Sequence, residues 1–230
     1  MESIEKRLAH IKDEIRTAAL ACGRDPETID LVAVSKKKSS AAVTSAIQAG
    51  VTLLGENYIQ EAMDKINTIG NTPASWHFIG HLQSNKAKFA VPYFDLIHTV
   101  DSFKLAREIN KQAAKINKRQ AILMQVNIAD EATKSGTTAA SALALAREIA
   151  PLEHIHLTGL MGMPPFFDDP EGARPYFKAM ANLFNTIQKE EIPGVDLEHL
   201  SMGMSGDFKV AIEEGSTLVR IGTAIFGSRE

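Results

Sequence analysis

The sequence predicts one (β/α)8 TIM barrel with an extra N-terminal helix, a single domain over residues 1–230. Three observations predict it. Eight short apolar runs alternate with segments of helical period, the pattern of a parallel sheet. The runs are continuous, as expected of strands buried on both faces. No GxGxxG follows the first run, so an open doubly wound sheet lacks its strongest mark. The chain has 230 residues, close to the roughly 250 of such barrels.

The first element is a helix. In "MESIEKRLAHIKDEIRTAALACG", Ile4, Leu8, Ile11 and Ile15 recur at helical spacing and Gly23 supplies a stop. The segment is charged from its second residue and has no long apolar stretch, so it is not read as a signal peptide. No later segment reaches the roughly 18 apolar residues of a membrane span. The apolar runs then follow at 31–36, 52–57, 76–82, 96–101, 121–128, 156–163, 198–204 and 217–227. Between them lie helix candidates at 39–50, 102–117, 139–151 and 172–191. No linker, low-complexity tract or shift of composition marks a second domain.

Composition narrows the partners. With 25 basic against 28 acidic residues and a net charge of -3, nothing favours nucleic acid or an anionic membrane. Cys22 is the only cysteine, which excludes an internal disulfide or a cysteine metal site and points to a reducing cytoplasm.

Barrels of this type place their sites at the C-terminal strand ends, often with phosphate after strands 7 and 8. The ends to inspect are Ser35-Lys36, Glu56-Asn57, His81 to Gln83, Asn127, Met161 to Met163, Ser201 to Ser205 and Arg220 to Thr223. Lys36 follows "VAVS". Strand alternation would put Lys36 and Lys38 on one side and Lys37 on the other. A lysine at the barrel mouth is partly desolvated, which lowers its pKa and makes it an amine nucleophile toward an aldehyde. The bland alternative is a solvated charge run.

In "SMGMSGD", Ser201, Gly203, Met204 and Ser205 can present hydroxyls and closely approached N–H groups to an anion. Gly222 and Thr223 lie beside them on strand 8, matching the phosphate position. Arg220 interrupts an apolar run and needs a partner, either a carboxylate or a ligand's ring nitrogen or acidic group. His77 and His81 are four residues apart on a predicted strand, about 13 Å, too far to share a metal. His81 is the ligand candidate of the two and His77 the structural one. The loop "MPPFFDDPEGARP" (163–175) reads as a stiff packed loop, or as a lid or partner surface.

Several longer motifs then occur in order. They are Lys36 after "AVS", "GEN" (55–57), "HFIGHLQSNK" (77–86), "VNIADEATKSG" (126–136), "GLMGMP" (159–164), "LSMGMSGDF" (200–208) and "VRIGTAIFG" (219–227). Together they resemble the pyridoxal phosphate homeostasis protein family, from about residue 30 to the C-terminus. One departure is "SKKKSS", where many members resemble S-K-x-K-P; Lys36 and Lys38 stay in place.

The resemblance implies a barrel like the alanine racemase N-terminal domain, with pyridoxal 5'-phosphate (PLP) held as a Schiff base on Lys36. It implies phosphate contacts at Ser201–Ser205 and Gly222-Thr223, with Arg220 toward the pyridine nitrogen. Asn57 and His81 would line the pocket. It further implies a carrier or regulator of the PLP supply, without established turnover. Arginine can only donate, so it would keep the ring nitrogen unprotonated and weaken the ring as an electron sink. Strand 8 is expected to run to Gly227, leaving no room for the second domain of the racemases and an open cofactor face. The expected partners are PLP and PLP-dependent apoenzymes, with the protein a cytoplasmic monomer. The rival readings are a PLP-dependent amino-acid racemase, a Schiff-base lyase, or a purely interacting protein.

Overall fold

The computed structural model describes residues 2–131 and 134–227; Ala132 and Thr133 of the "VNIADEATKSG" motif lie outside them. The eight barrel strands are β1 (Asp30–Val34), β2 (Leu53–Glu56), β3 (Ser75–Phe78), β4 (Leu96–Val100), β5 (Gln120–Asn127), β6 (Ile155–Gly162), β7 (Val195–Met204) and β8 (Leu218–Ile221). All pairings are parallel. Each strand joins its sequence neighbour, and β8 pairs with β1 to close the ring. A two-residue strand, Thr137–Thr138, adds to β5 outside the barrel. Continuous burial of all five residues of β4 is what an internal parallel strand requires.

The long helices are α1 (Ile4–Ala21), α2 (Ser40–Gln48), α3 (Ile59–Ile69), α5 (Phe103–Lys115), α6 (Ala139–Ile149) and α7 (Arg174–Lys189). Short helices are α4 (Ala87–Ala90), α8 (Phe208–Glu213) and α9 (Thr223–Phe226). Side-chain caps set several starts. Ser39 accepts from the Ala42 N–H, Ser102 from Leu105 and Thr138 from Ser141, satisfying donors that the first turn leaves unpaired. Helix α1 buries Leu8, Ile11 and Ile15 against α2, α8 and α9. Arg7 Nε also donates to the Ile225 carbonyl at 2.6 Å. The extra N-terminal helix therefore braces the segment that follows β8.

Two cores result. The larger lies between the sheet and the helices. The smaller fills the barrel with Val32, Leu96, Leu123, Met161 and Leu218. Two residues on, and so on the same face of their strands, Leu96 gives way to His98 and Leu218 to Arg220. An apolar plug thus changes to a polar layer in the direction of the strand C-termini.

Three sequence expectations need correction. Strand 8 does not run to Gly227: β8 stops at Ile221, and "TAIF" turns into α9. An apolar run alone cannot separate a strand from a short helix. Strand 3 stops at Phe78, so His81 lies in the following loop and the strand spacing assumed for His77 and His81 does not apply. Strand alternation also does not reach the lysines. The chain leaves β1 at Val34 and turns, with the Lys38 N–H on the Ser35 carbonyl at 3.1 Å and Lys37 at φ 60°.

Candidate ligand-binding site at the barrel mouth

Neighbouring strands bring three of the predicted groups to one edge of the mouth. In the β1–β8 register Val32 faces Arg220 and Ala33 faces Ile221, so Lys36 and Gly222-Thr223 emerge side by side. A Cβ on Gly222 would lie 3.2 Å from the Val34 carbonyl oxygen; the absence of a side chain lets these strand ends close up. In the β7–β8 pairing Met204 faces Arg220, which sets the 203–207 turn next in line. Gly203 has φ 90°, and a Cβ there would lie 2.5 Å from Ala211 Cβ, so both conformation and space call for glycine. The Met204 N–H donates to Asp207 Oδ1 at 2.6 Å. Ser205 and Thr223 are exposed and Lys36 is half-buried.

Ser201 departs from the expected role. It is fully buried, and its hydroxyl accepts from Arg220 NH1 at 2.6 Å while lying 3.1 Å from His98 Nδ1. Ser201 sits two residues before the turn, inside the barrel, where it supports Arg220. Arg220 NH2 donates to the Gly162 carbonyl at 3.1 Å. Burial draws the guanidinium down to about 10, opposed by Asp207, so Arg220 stays charged at neutral pH. Among the described residues, the hydrogen-bond partners of this arginine are thus a hydroxyl and a carbonyl, with the Asp207 carboxylate acting through its charge.

Beyond Ser201 the chain of polar contacts continues. His98 Nε2 lies 3.1 Å from His77 Nδ1, which makes His77 structural, as expected. Desolvation holds His77 at about 4 and His98 well below its ordinary value, with neighbouring charge adding to the effect on His98. Both rings are neutral at pH 7.

Beside this edge is a cavity of about 640 Å³, reaching from Met204 and Ser205 across the mouth to Asn57, His81 and Asn127 among the predicted residues. Loop 163–170 contributes Phe166 and Phe167. Phe166 is 89% exposed, whereas Phe167 packs on the core and meets Tyr176 at 5.8 Å between ring centroids. The loop is therefore half anchored and half presented. His81 is exposed, with Nδ1 3.3 Å from Ser135 Oγ. Asn57 Oδ1 is a buried acceptor with no partner, the kind of atom that a ligand donor would satisfy. Asn127 instead binds its own loop, donating to the Glu131 carbonyl and accepting its N–H.

Sequence reasoning missed Lys65. It lies on α3, 4% exposed, and its Nζ is 2.7 Å from Glu56 Oε1, 2.6 Å from Glu61 Oε1 and 2.7 Å from the Ser35 carbonyl. Ser35 Oγ donates to the same Glu56 oxygen at 2.6 Å. Burial holds Glu56 above the usual carboxylate range, against the pull of Lys65 and Ser35. A signal existed, since Lys65 shares the buried stripe of α3 with Ala62 and Ile66.

These parts fit PLP, which needs an amine for its aldehyde, a glycine-bearing turn for its phosphate and a partner for its ring nitrogen. Lys36, the 203–206 turn with Gly222-Thr223, and the charged Arg220 beneath them would supply these groups along one edge. The unpartnered Asn57 Oδ1 leaves an acceptor available across the mouth.

Comparison with known proteins points the same way. The family model for the alanine racemase N-terminal domain matches residues 7–230. A pyridoxal phosphate homeostasis protein of Vibrio alginolyticus is 44% identical, over 100% of this chain and 99% of its own length. One from Escherichia coli K12 is also 44% identical, over 100% and 98%. Among solved structures, PipY of Synechococcus elongatus with PLP bound matches at TM-score 0.84 and 32% identity, covering 98% of this chain and 100% of that one.

Proposed function

This chain belongs to the pyridoxal phosphate homeostasis proteins, within the alanine racemase N-terminal domain family, and from that premise we propose how it holds its cofactor. Its function is to bind PLP in the service of PLP homeostasis. The observation that carries the residue assignment is the shared edge on which Lys36, the Gly203–Ser205 turn and Gly222-Thr223 stand together above buried Arg220.

Bound there, PLP would supply an aldehyde for Schiff-base chemistry with a primary amine. Lys36 provides that amine. Ser205, Gly222 and Thr223 would hold the phosphate, Ser205 and Thr223 through their exposed hydroxyls, and Met204 would shape the turn, its N–H being committed to Asp207. Arg220 is oriented by Ser201 and Gly162 and would be the donor toward the ring nitrogen; with only N–H groups, it could not accept a proton from it. Asn57 and His81 border the pocket on its open side, and Asn57 Oδ1 accepts one hydrogen bond.

Storage and delivery without turnover are part of the proposal, as are a monomeric state, a cytoplasmic location and apoenzymes as recipients. The interior histidines next to Arg220 are neutral and hydrogen-bonded within the barrel, which suits holding the cofactor better than shuttling protons. Absorbance after incubation with PLP tests the assignment. Wild type should develop a visible band that borohydride fixes, and Lys36→Ala should lose it. A band that survives in Lys36→Ala would refute the assignment. Amino-acid racemisation dependent on Lys36 would replace the carrier reading with an enzymatic one.

A further inference from the structure

The residues that hold the cofactor leave Glu56, Lys65 and Glu61 unexplained. Desolvating such charges is costly, and an apolar residue on this face of α3 would stabilise the fold at least as well. The location of the contacts gives the cluster its meaning. Lys65 Nζ holds the Ser35 carbonyl, Glu56 holds the Ser35 hydroxyl, and Glu61 accepts the Lys37 backbone N–H. Ser35 and Lys37 are the two neighbours of Lys36, and the Lys65 ammonium joins both carboxylates. The turn also needs holding, because Lys37 has φ 60°, a conformation unfavourable to a residue with a Cβ.

We propose that Glu56, Lys65 and Glu61 are positioning residues that fix the turn carrying Lys36, and with it the direction of the amine toward an aldehyde. None of the three needs to touch the ligand. The proposal rests on Lys36 being the site's amine, and the experiment separates the two claims.

The experiment uses the full chain as wild type, Lys36→Ala, Lys65→Met, Glu61→Ala and Glu61→Ala/Lys37→Gly. Three readings are taken: the PLP dissociation constant from absorbance, the thermal midpoint, and acetylation of Lys36 relative to exposed Lys111 by peptide mass spectrometry without PLP. In Glu61→Ala, PLP affinity should fall about fivefold while Lys36 acetylation rises, as the released turn becomes more accessible. Lys37→Gly should recover at least half of the lost affinity, because glycine adopts positive φ freely. A merely structural cluster would lower the thermal midpoint and leave affinity and acetylation ratio as in wild type, with no rescue. That result in Glu61→Ala, which keeps the buried Lys65–Glu56 pair, would overturn the proposal even if Lys65→Met fails to fold. If Lys36→Ala keeps the wild-type band, the amine assignment fails, while the acetylation ratio still reports whether the cluster holds the turn.

Discussion

Along β7, β8 and β1 the barrel mouth is tied down residue by residue, whereas from β2 to β6 it borders open space. On the first side Met204 is held by Asp207, Ser201 by Arg220, Lys38 Nζ by the Gly227 carbonyl at 3.2 Å, and the flanks of Lys36 by a buried ion cluster. On the second, Phe166 stands in solvent, His81 meets the Ser135 hydroxyl at 3.3 Å, and Asn57 keeps an unused acceptor among the described residues. The difference assigns the work. Under the proposed assignment, a preorganised edge would retain a small anionic aldehyde at low entropic cost, and an open side would let it enter and leave.

The largest expected effect comes from the polar layer beneath the mouth, where His77 on β3 and His98 on β4 meet Ser201 and Arg220 of the tied side. His77 has a folded pKa of about 4 against an ordinary 6.5, so between those values the unfolded chain binds more protons. Stability should fall as pH drops from about 6.5 toward 4, by about 2–3 kcal/mol at pH 4.5 from His77 alone, with His98 adding in the same direction. Glu56, whose pKa is raised, works oppositely above its ordinary value. Urea unfolding at pH 7 and 4.5 measures the sum, and His77→Gln should flatten the dependence.

Gly203→Ala comes next. Positive φ and the contact with Ala211 should destabilise by about 2–3 kcal/mol, seen as a lower thermal midpoint together with weaker PLP retention. Arg220→Lys, which loses the forked donor shared between Ser201 and Gly162, should weaken PLP about tenfold and shift the visible band. Phe166→Ser is the smallest: on the open side it should change stability by less than about 0.5 kcal/mol and leave PLP affinity unchanged. An Arg220→Lys variant that behaves like Phe166→Ser would erase the contrast between the two sides.

Much of the fold was legible because parallel strands write their burial as continuous apolar runs, and six of the eight predicted runs end within two residues of their strands. The two that overran, at 76–82 and 217–227, continued into apolar residues that pack in a loop and in α9. In the site, glycines at 203 and 222 and the interrupting Arg220 announced themselves by residue type. Ser201 did not reveal which way it faces, because a serine two residues before a turn is equally compatible with anion and arginine. Lys65 escaped notice because its partners Ser35 and Glu56 are 30 and 9 residues away, joined only once β1, β2 and α3 pack together.

Identifying the modified residue tests the central claim most directly. Wild-type protein loaded with PLP is reduced with borohydride, digested and sequenced by mass spectrometry. The account predicts a pyridoxyl group on Lys36, with Lys37 and Lys38 unmodified. A pyridoxyl group chiefly on Lys37, Lys38 or any lysine away from the β1 turn would contradict it.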